Sequence, residues 1–228
     1  MRPTRALIYT GGISHPFEQA APVLAQLLNE VGFASFVSFD LNAIVAALMD
    51  DPQALLVIYA LRWGMTQHEK YAPDRAQWAL QIAEPARHAI AGHVRGGGGL
   101  LGIHTASICF DDWAEWPQVL GGGWQWGVSH HPPLGPVDLT LDAAHPLAQG
   151  LPNFSLMDEA YTQLTVSPAA TIVARVTAAG GVAQPAVWTH QYGAGRVFYD
   201  SVGHDGTSLG ERTHRQLLQR GACWAAGI

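Results

Sequence analysis

Short apolar runs separated by helix-length stretches fill the first half of the chain, and this alternation limits the fold more than any other feature. Ala6, Leu7, Ile8 and Tyr9 form one such run, which Gly11 and Gly12 stop. Phe17, Ala21, Leu24, Leu28 and Val31 then recur at helical spacing until Gly32. Residues 33–39 read as a second strand, 41–49 as a short helix and 55–59 as a buried strand. Residues 73–94 read as one helix with Trp78, Ile82, Ile90 and Val94 facing inward and a kink at Pro85. The apolar run 100–103 follows the glycines at 96–99 and stops at His104. Strands alternating with helices of these lengths predict a parallel, doubly wound sheet.

The second half has a different texture. Gly121, Gly122 and Gly123 lead through Trp124 and Trp126 to His130, His131, Pro132 and Pro133. Strand-like stretches follow at 137–141, 154–164, 171–176, 186–191 and 196–201, and residues 209–226 read as a closing helix. Tyr192-Gly193-Ala194-Gly195 is a strong hairpin signal between the last two strands. Antiparallel strands should therefore extend the parallel core. No repeat, linker or shift in composition divides the chain, so residues 1–228 read as one domain.

Composition excludes several functions. A net charge of −6 without any Lys/Arg run argues against nucleic acid and against anionic membranes as partners. No apolar run approaches the ~20 residues that span a bilayer, and none resembles a secretory leader. Cys109 and Cys223 make no disulfide framework, so a reducing cytoplasm is the expected compartment. Histidine is the outlier, with eleven copies in a chain only 13% charged. Its near-neutral titration and its affinity for metals make each position worth tracing.

In open α/β sheets, ligands collect outside the carboxyl ends of strands. His104 sits at such an end, His15 lies on the first strand-to-helix loop, and His204 follows the last strand. The glycines at 96–99 precede their strand, whereas a phosphate loop follows one, so they read as a helix stop with tight packing. A nucleophile elbow would need Ser or Cys at the tip. The tip is His104, while Ser107 and Cys109 lie beyond it, and Cys109 reads as a small core residue.

The chain resembles the ThuA-like (trehalose utilisation) family, which has the fold of class I glutamine amidotransferases. The resemblance rests on Thr10-Gly11-Gly12 with His15, on Gly97 through His104, and on His145-Pro146 with Gly150-Leu151-Pro152. It continues through Asp158-Glu159-Ala160-Tyr161, Pro185-Ala186-Val187-Trp188, Tyr192 through Tyr199, Gly203-His204-Asp205 and Trp224-Ala225-Ala226-Gly227. It implies a flavodoxin-like, amidotransferase-like α/β fold. His104 then replaces the elbow cysteine and His204 sits near the later catalytic histidine, so the pocket is kept while glutaminase chemistry is lost. Bacterial carbohydrate catabolism is implied, with trehalose-like or 3-keto disaccharides as the substrate class.

The expected site follows from these placements. His104 and Glu159 are the catalytic acid–base candidates. His15, Trp63, His131, Tyr161 and His204 are the substrate-binding candidates, with His131 favoured over His130 because Pro132 fixes the chain beside it. Strand alternation puts Glu159 and Tyr161 on one face, with Asp158 and Ala160 on the other. A divalent ion such as zinc is compatible with ligands drawn from His15, His104, His131, Glu159 and His204. Trp63, Trp124 and Trp126 are placed on loops where they could stack on sugar rings. His190 adds an imidazole outside the family pattern, and His145 reads as a turn cap. His68, His88, His93 and His214 read as ordinary surface or helix histidines. A homodimer is compatible with exposed tryptophans and low charge. The alternative to an enzyme is a non-catalytic sugar-binding or accessory protein.

Overall fold

The computed structural model describes residues 3–228. The chain runs β1 (Thr4–Gly12), α1 (Phe17–Asn29), β2 (Phe33–Ser38), α2 (Leu41–Asp50), β3 (Leu55–Leu61), α3 (Ala72–Trp78), α4 (Glu84–Arg95) and β4 (Gly99–Ile103). It continues with α5 (Trp116–Leu120), β5 (Gly122–Gly123), β6 (Gly135–Leu141), β7 (Phe154–Asp158), β8 (Thr165–Val166) and β9 (Thr171–Ala178). β10 (Gln184–Tyr192), β11 (Gly195–Asp200), α6 (Gly206–Gly210) and α7 (Arg212–Ala226) complete it.

A nine-stranded sheet runs in the order β2-β1-β3-β4-β11-β10-β9-β6-β7. The β2, β1, β3, β4 and β11 strands pair in parallel, and the pairs from β11 outward to β7 are antiparallel. The expected class, a doubly wound parallel sheet extended by antiparallel strands, is therefore present. Alternation along the strands explains how helices cover both faces. Ile8, Val57, Tyr59, Leu101 and Phe198 pack with Leu24 of α1 and Leu217 of α7 on one side. Leu7, Ile58, Leu100 and Val197 pack with Ile44 of α2 and Ile90 of α4 on the other. Truncating any of these buried leucines to Ala would cost about 2–5 kcal/mol.

Three sequence expectations need correction. The single helix over 73–94 is two, because Ala79 leaves the helical region and α4 restarts with Pro85 in its first turn. Pro85 thus opens a helix, where its missing N–H is harmless, instead of kinking one. The closing helix is likewise split at Glu211, whose carboxylate accepts the Thr213 and His214 N–H groups and caps α7. The strand expected over 154–164 ends at Asp158, and Thr165–Val166 pairs separately with β5. The glycines at 96–99 act as a helix stop with close packing: Gly96 caps α4, and a Cβ on Gly99 would lie 2.5 Å from the Ala225 carbonyl oxygen. Among the described residues no helix is long and apolar enough to cross a membrane.

Candidate functional site

In the order β2-β1-β3-β4 successive strands are added first on one side of β1 and then on the other, and this switch between the parallel strands β1 and β3 opens a crevice beyond their carboxyl ends. The loops leaving β1, β3, β4, β7 and β11 meet there.

His104 is the centre. It follows β4 directly, is fully buried and has a left-handed backbone with φ of +50°. Its Nδ1 lies 2.7 Å from the Ser201 carbonyl oxygen, which can only accept, so Nδ1 carries the proton. Its Nε2 then faces the cluster, 3.0 Å from His15 Nε2, 3.3 Å from the Tyr161 hydroxyl and 3.4 Å from Glu159 Oε2. His15 has the same arrangement, with Nδ1 on the Ile13 carbonyl oxygen at 3.3 Å. Two Nε2 atoms held neutral this way would oppose lone pairs at 3.0 Å, a contact that needs a shared proton or a cation nearby. Burial lowers the His15 pKa, against an opposing pull from Glu159.

Glu159 completes the cluster from the end of β7. Its Oε2 faces His104 and His15, while Oε1 lies 3.7 Å from Nδ1 of both His131 and His204. Burial would raise its pKa, but the surrounding imidazoles of His104, His15 and His204 outweigh that and hold the carboxyl far below the usual range. Glu159 in turn raises the His204 pKa. The Tyr161 ring stacks on His104 with centroids 4.6 Å apart, and burial pushes its phenol well above the ordinary value.

A pocket of about 410 Å³ opens above this cluster, with His15, Glu159, Tyr161 and His131 in its lining and Trp63, Trp124 and Trp126 as its aromatic wall. Trp63 differs from a stacking residue on an open loop: it is 2% exposed and donates its indole N–H to Gln67 at 2.8 Å. Its role there is a rigid wall. His130 faces away and bridges the Thr162 backbone, whereas His131 reaches the pocket.

For a cation, ligand atoms of His15, His104, Glu159 and His204 all lie within 4.8 Å of one another. His131 is outside this group, which narrows the expected ligand set. The donors fit a divalent ion: imidazoles oriented by backbone carbonyls, one carboxylate, and a buried His204 Nδ1 without a hydrogen-bond partner among the described residues.

Sequence reasoning missed two residues. Asp158, assigned to the face opposite Glu159, is fully buried beneath the site. Its Oδ2 accepts the Gly203 and His204 N–H groups at 2.8 and 3.1 Å, and its Oδ1 accepts the Glu159 N–H at 2.8 Å. It ties the His204 loop to the Glu159 segment. The acidic pair at 158–159 was the available signal. His214, read as an ordinary helix histidine, is fully buried between the Ser208 carbonyl oxygen at 2.7 Å and Asp200 Oδ2 at 3.1 Å. Burial lowers its pKa, but Asp200 prevails and raises it overall. His145 does cap its turn, accepting the Leu147 N–H at 3.2 Å. Cys109 is buried with its thiol pushed up to about 12, so it offers no thiolate for acyl transfer.

Fold and site together define an α/β protein with a histidine–carboxylate cleft at the switch point of a doubly wound sheet. The chain belongs to the ThuA family, described as trehalose utilisation, which matches residues 5–225. It is similar to a ThuA-like protein from Parabacteroides merdae ATCC 43184, with 22% identity, TM-score 0.76 and coverage of 98% of this chain and 90% of that one. A ThuA-like protein from Bacteroides uniformis ATCC 8492 is 17% identical, with TM-score 0.71 and coverage of 97% and 91%. A cytoplasmic protein from Salmonella typhimurium LT2 is 14% identical, with TM-score 0.63 and coverage of 96% and 99%. At these identities the likeness is one of fold. No curated protein matches the chain.

Proposed function

We propose that the chain is a cytoplasmic enzyme of bacterial carbohydrate catabolism that acts on a small sugar, trehalose-like or a 3-keto disaccharide. The convergence of His104, His15, Glu159 and Tyr161 on the floor of a tryptophan-walled pocket carries this reading. Family membership supports the substrate class. The pocket volume of about 410 Å³ lies in the range of small-molecule sites, and its indoles suit the C–H faces of sugar rings.

Proton transfer next to a sugar carbonyl is the chemistry these residues suit best. Glu159 Oε1, on the side of His131 and His204, accepts the proton. Tyr161 stays protonated because burial raises its pKa, so it donates a hydrogen bond to the substrate oxygen. His204, with its pKa raised by Glu159, supplies a proton to the product near neutral pH. With a divalent ion such as zinc bound, His15, His104, Glu159 and His204 would hold it, and Lewis-acid polarisation of the substrate oxygen would then stand in place of proton transfer by Glu159 and His204.

One observation favours a second reading. A carboxylate held far below its usual range is a weak base, which suits a sugar-binding or accessory protein that performs no turnover. Incubation with 3-keto-trehalose, followed by NMR, separates the two. Product formation that falls about 10²–10⁴-fold in folded Glu159→Gln and His104→Ala variants supports the enzyme. Full activity in both variants would remove their assigned roles, and calorimetric affinity without product under any metal condition would establish the binding protein.

A further inference from the structure

A second cavity lies on the other face of the sheet, behind the tryptophan-walled pocket. It measures about 200 Å³ and is lined by Tyr9, Asp40, Asn42, Arg62, Gln81 and Ala86, among others. Arg62 is half-buried and follows β3 directly, so its neighbours Leu61 and Trp63 line the first pocket while its own side chain enters the second.

The guanidinium lacks the partners that a shielded charge needs. Its Nε is shut off from solvent and makes no hydrogen bond among the described residues. Arg87, Arg95 and Arg215 each pair with a carboxylate, but Arg62 forms no ion pair among the described residues. The Trp78 ring lies 5.5 Å from the guanidinium carbon, and a ring face offers no hydrogen-bond acceptor comparable to an oxygen. A shielded N–H without an acceptor is destabilising, and more so on a charged group. An acceptor from outside the chain removes that penalty, and a guanidinium fork matches a carboxylate best.

Asp40 narrows the choice further. It lines the same cavity without pairing with Arg62, and its Oδ1 already accepts the Asn42 N–H at 2.9 Å as the cap of α2. A bare or doubly charged anion would meet repulsion from this carboxylate. A ligand bearing a donor beside its own carboxylate turns Asp40 into a partner. The volume holds only a small metabolite, since water alone occupies about 30 Å³ per molecule.

We propose that this cavity is a second ligand site for a small carboxylate with an adjacent hydrogen-bond donor, an α-hydroxy or α-amino acid. The carboxylate lies on Arg62 and the donor on Asp40. The inference is independent of the sugar-processing reading, because no residue of the histidine cluster lines this cavity.

Calorimetric titration of the full chain with L-lactate, L-alanine, acetate and inorganic phosphate tests it. L-Lactate or L-alanine should saturate one site, with affinity about tenfold weaker in Arg62→Lys and unchanged in Glu159→Gln. Nitrogen-15 spectra of the wild-type protein supply a readout independent of how the variant folds: the Arg62 Nε–H resonance should shift during the titration. Absence of saturable binding by both acids, or an unmoved Nε–H signal, would overturn the site. Acetate or phosphate binding as tightly as L-lactate would overturn the part assigned to Asp40.

Discussion

At His104 the backbone and the imidazole are constrained together. A left-handed non-glycine residue costs about 1–3 kcal/mol and persists only where its surroundings compensate. Here Tyr199 donates to the His104 carbonyl oxygen at 2.8 Å, and Ser201 holds Nδ1. The Ser201 carbonyl oxygen therefore fixes which nitrogen faces the cluster. At His214 both ring nitrogens face acceptors, so it is an imidazolium in the folded chain. Its folded pKa is raised, so the stability it contributes is complete below the unfolded value of about 6.5 and disappears as pH rises through the folded value. Denaturant titrations of wild type and His214→Gln should show a stability gap that is largest near pH ~6 and shrinks by up to about 1.4 kcal/mol per pH unit above ~6.5. A gap that stays constant across this window would show that His214 acts by packing alone.

Among the elements, the β10–β11 hairpin joins the antiparallel half of the sheet to the parallel half. Its turn places Gly193 at φ +62°, and a Cβ there would lie 2.6 Å from the Arg95 carbonyl oxygen at the end of α4. The same carbonyl accepts the Ala194 N–H at 3.0 Å, which docks the hairpin on the helix. Gly193→Val should therefore lower stability by about 2–4 kcal/mol, from left-handed strain together with the steric contact, as read by urea unfolding. A loss below about 0.5 kcal/mol would mean that the turn rearranges freely. Elements also show where local pattern reading fails. The apolar spacing over 73–94 suits a helix throughout, but the Ala79 N–H ends the first piece on Arg75, and the Leu80 N–H bonds the Trp63 carbonyl oxygen. A tertiary partner replaced the next helical turn.

At the level of the whole molecule, residues from the ends of five strands and one long loop make a single cleft. A cation held there would bind the folded chain alone, so its binding energy would add to stability. Zinc at a hundredfold excess over its Kd should raise stability by about 2.7 kcal/mol, seen as a higher melting temperature that a chelator reverses. The increase should vanish in His104→Ala; an equal increase in that variant would place the ion elsewhere. All eight tryptophans are buried or half-buried, so none is an exposed contact surface.

Much of this architecture was legible in local pattern. Apolar runs such as 55–59 and 100–103 marked central strands because strands buried on both faces need no alternation. Their polar tips marked the positions of His15, His104 and His204, and two-residue periodicity paired Glu159 with Tyr161 even though β7 stops first. The chain alone thus determined its elements and the candidates at their ends, since both depend on neighbours a few residues away. Tertiary structure decided the rest: the 3.0 Å approach of His15 to His104, the exclusion of His131 from the ligand group, and the burial of Asp158 and His214. Those outcomes depend on strand order and on carbonyl groups up to 97 positions away, as with Ser201 on His104, and no local periodicity encodes such distances.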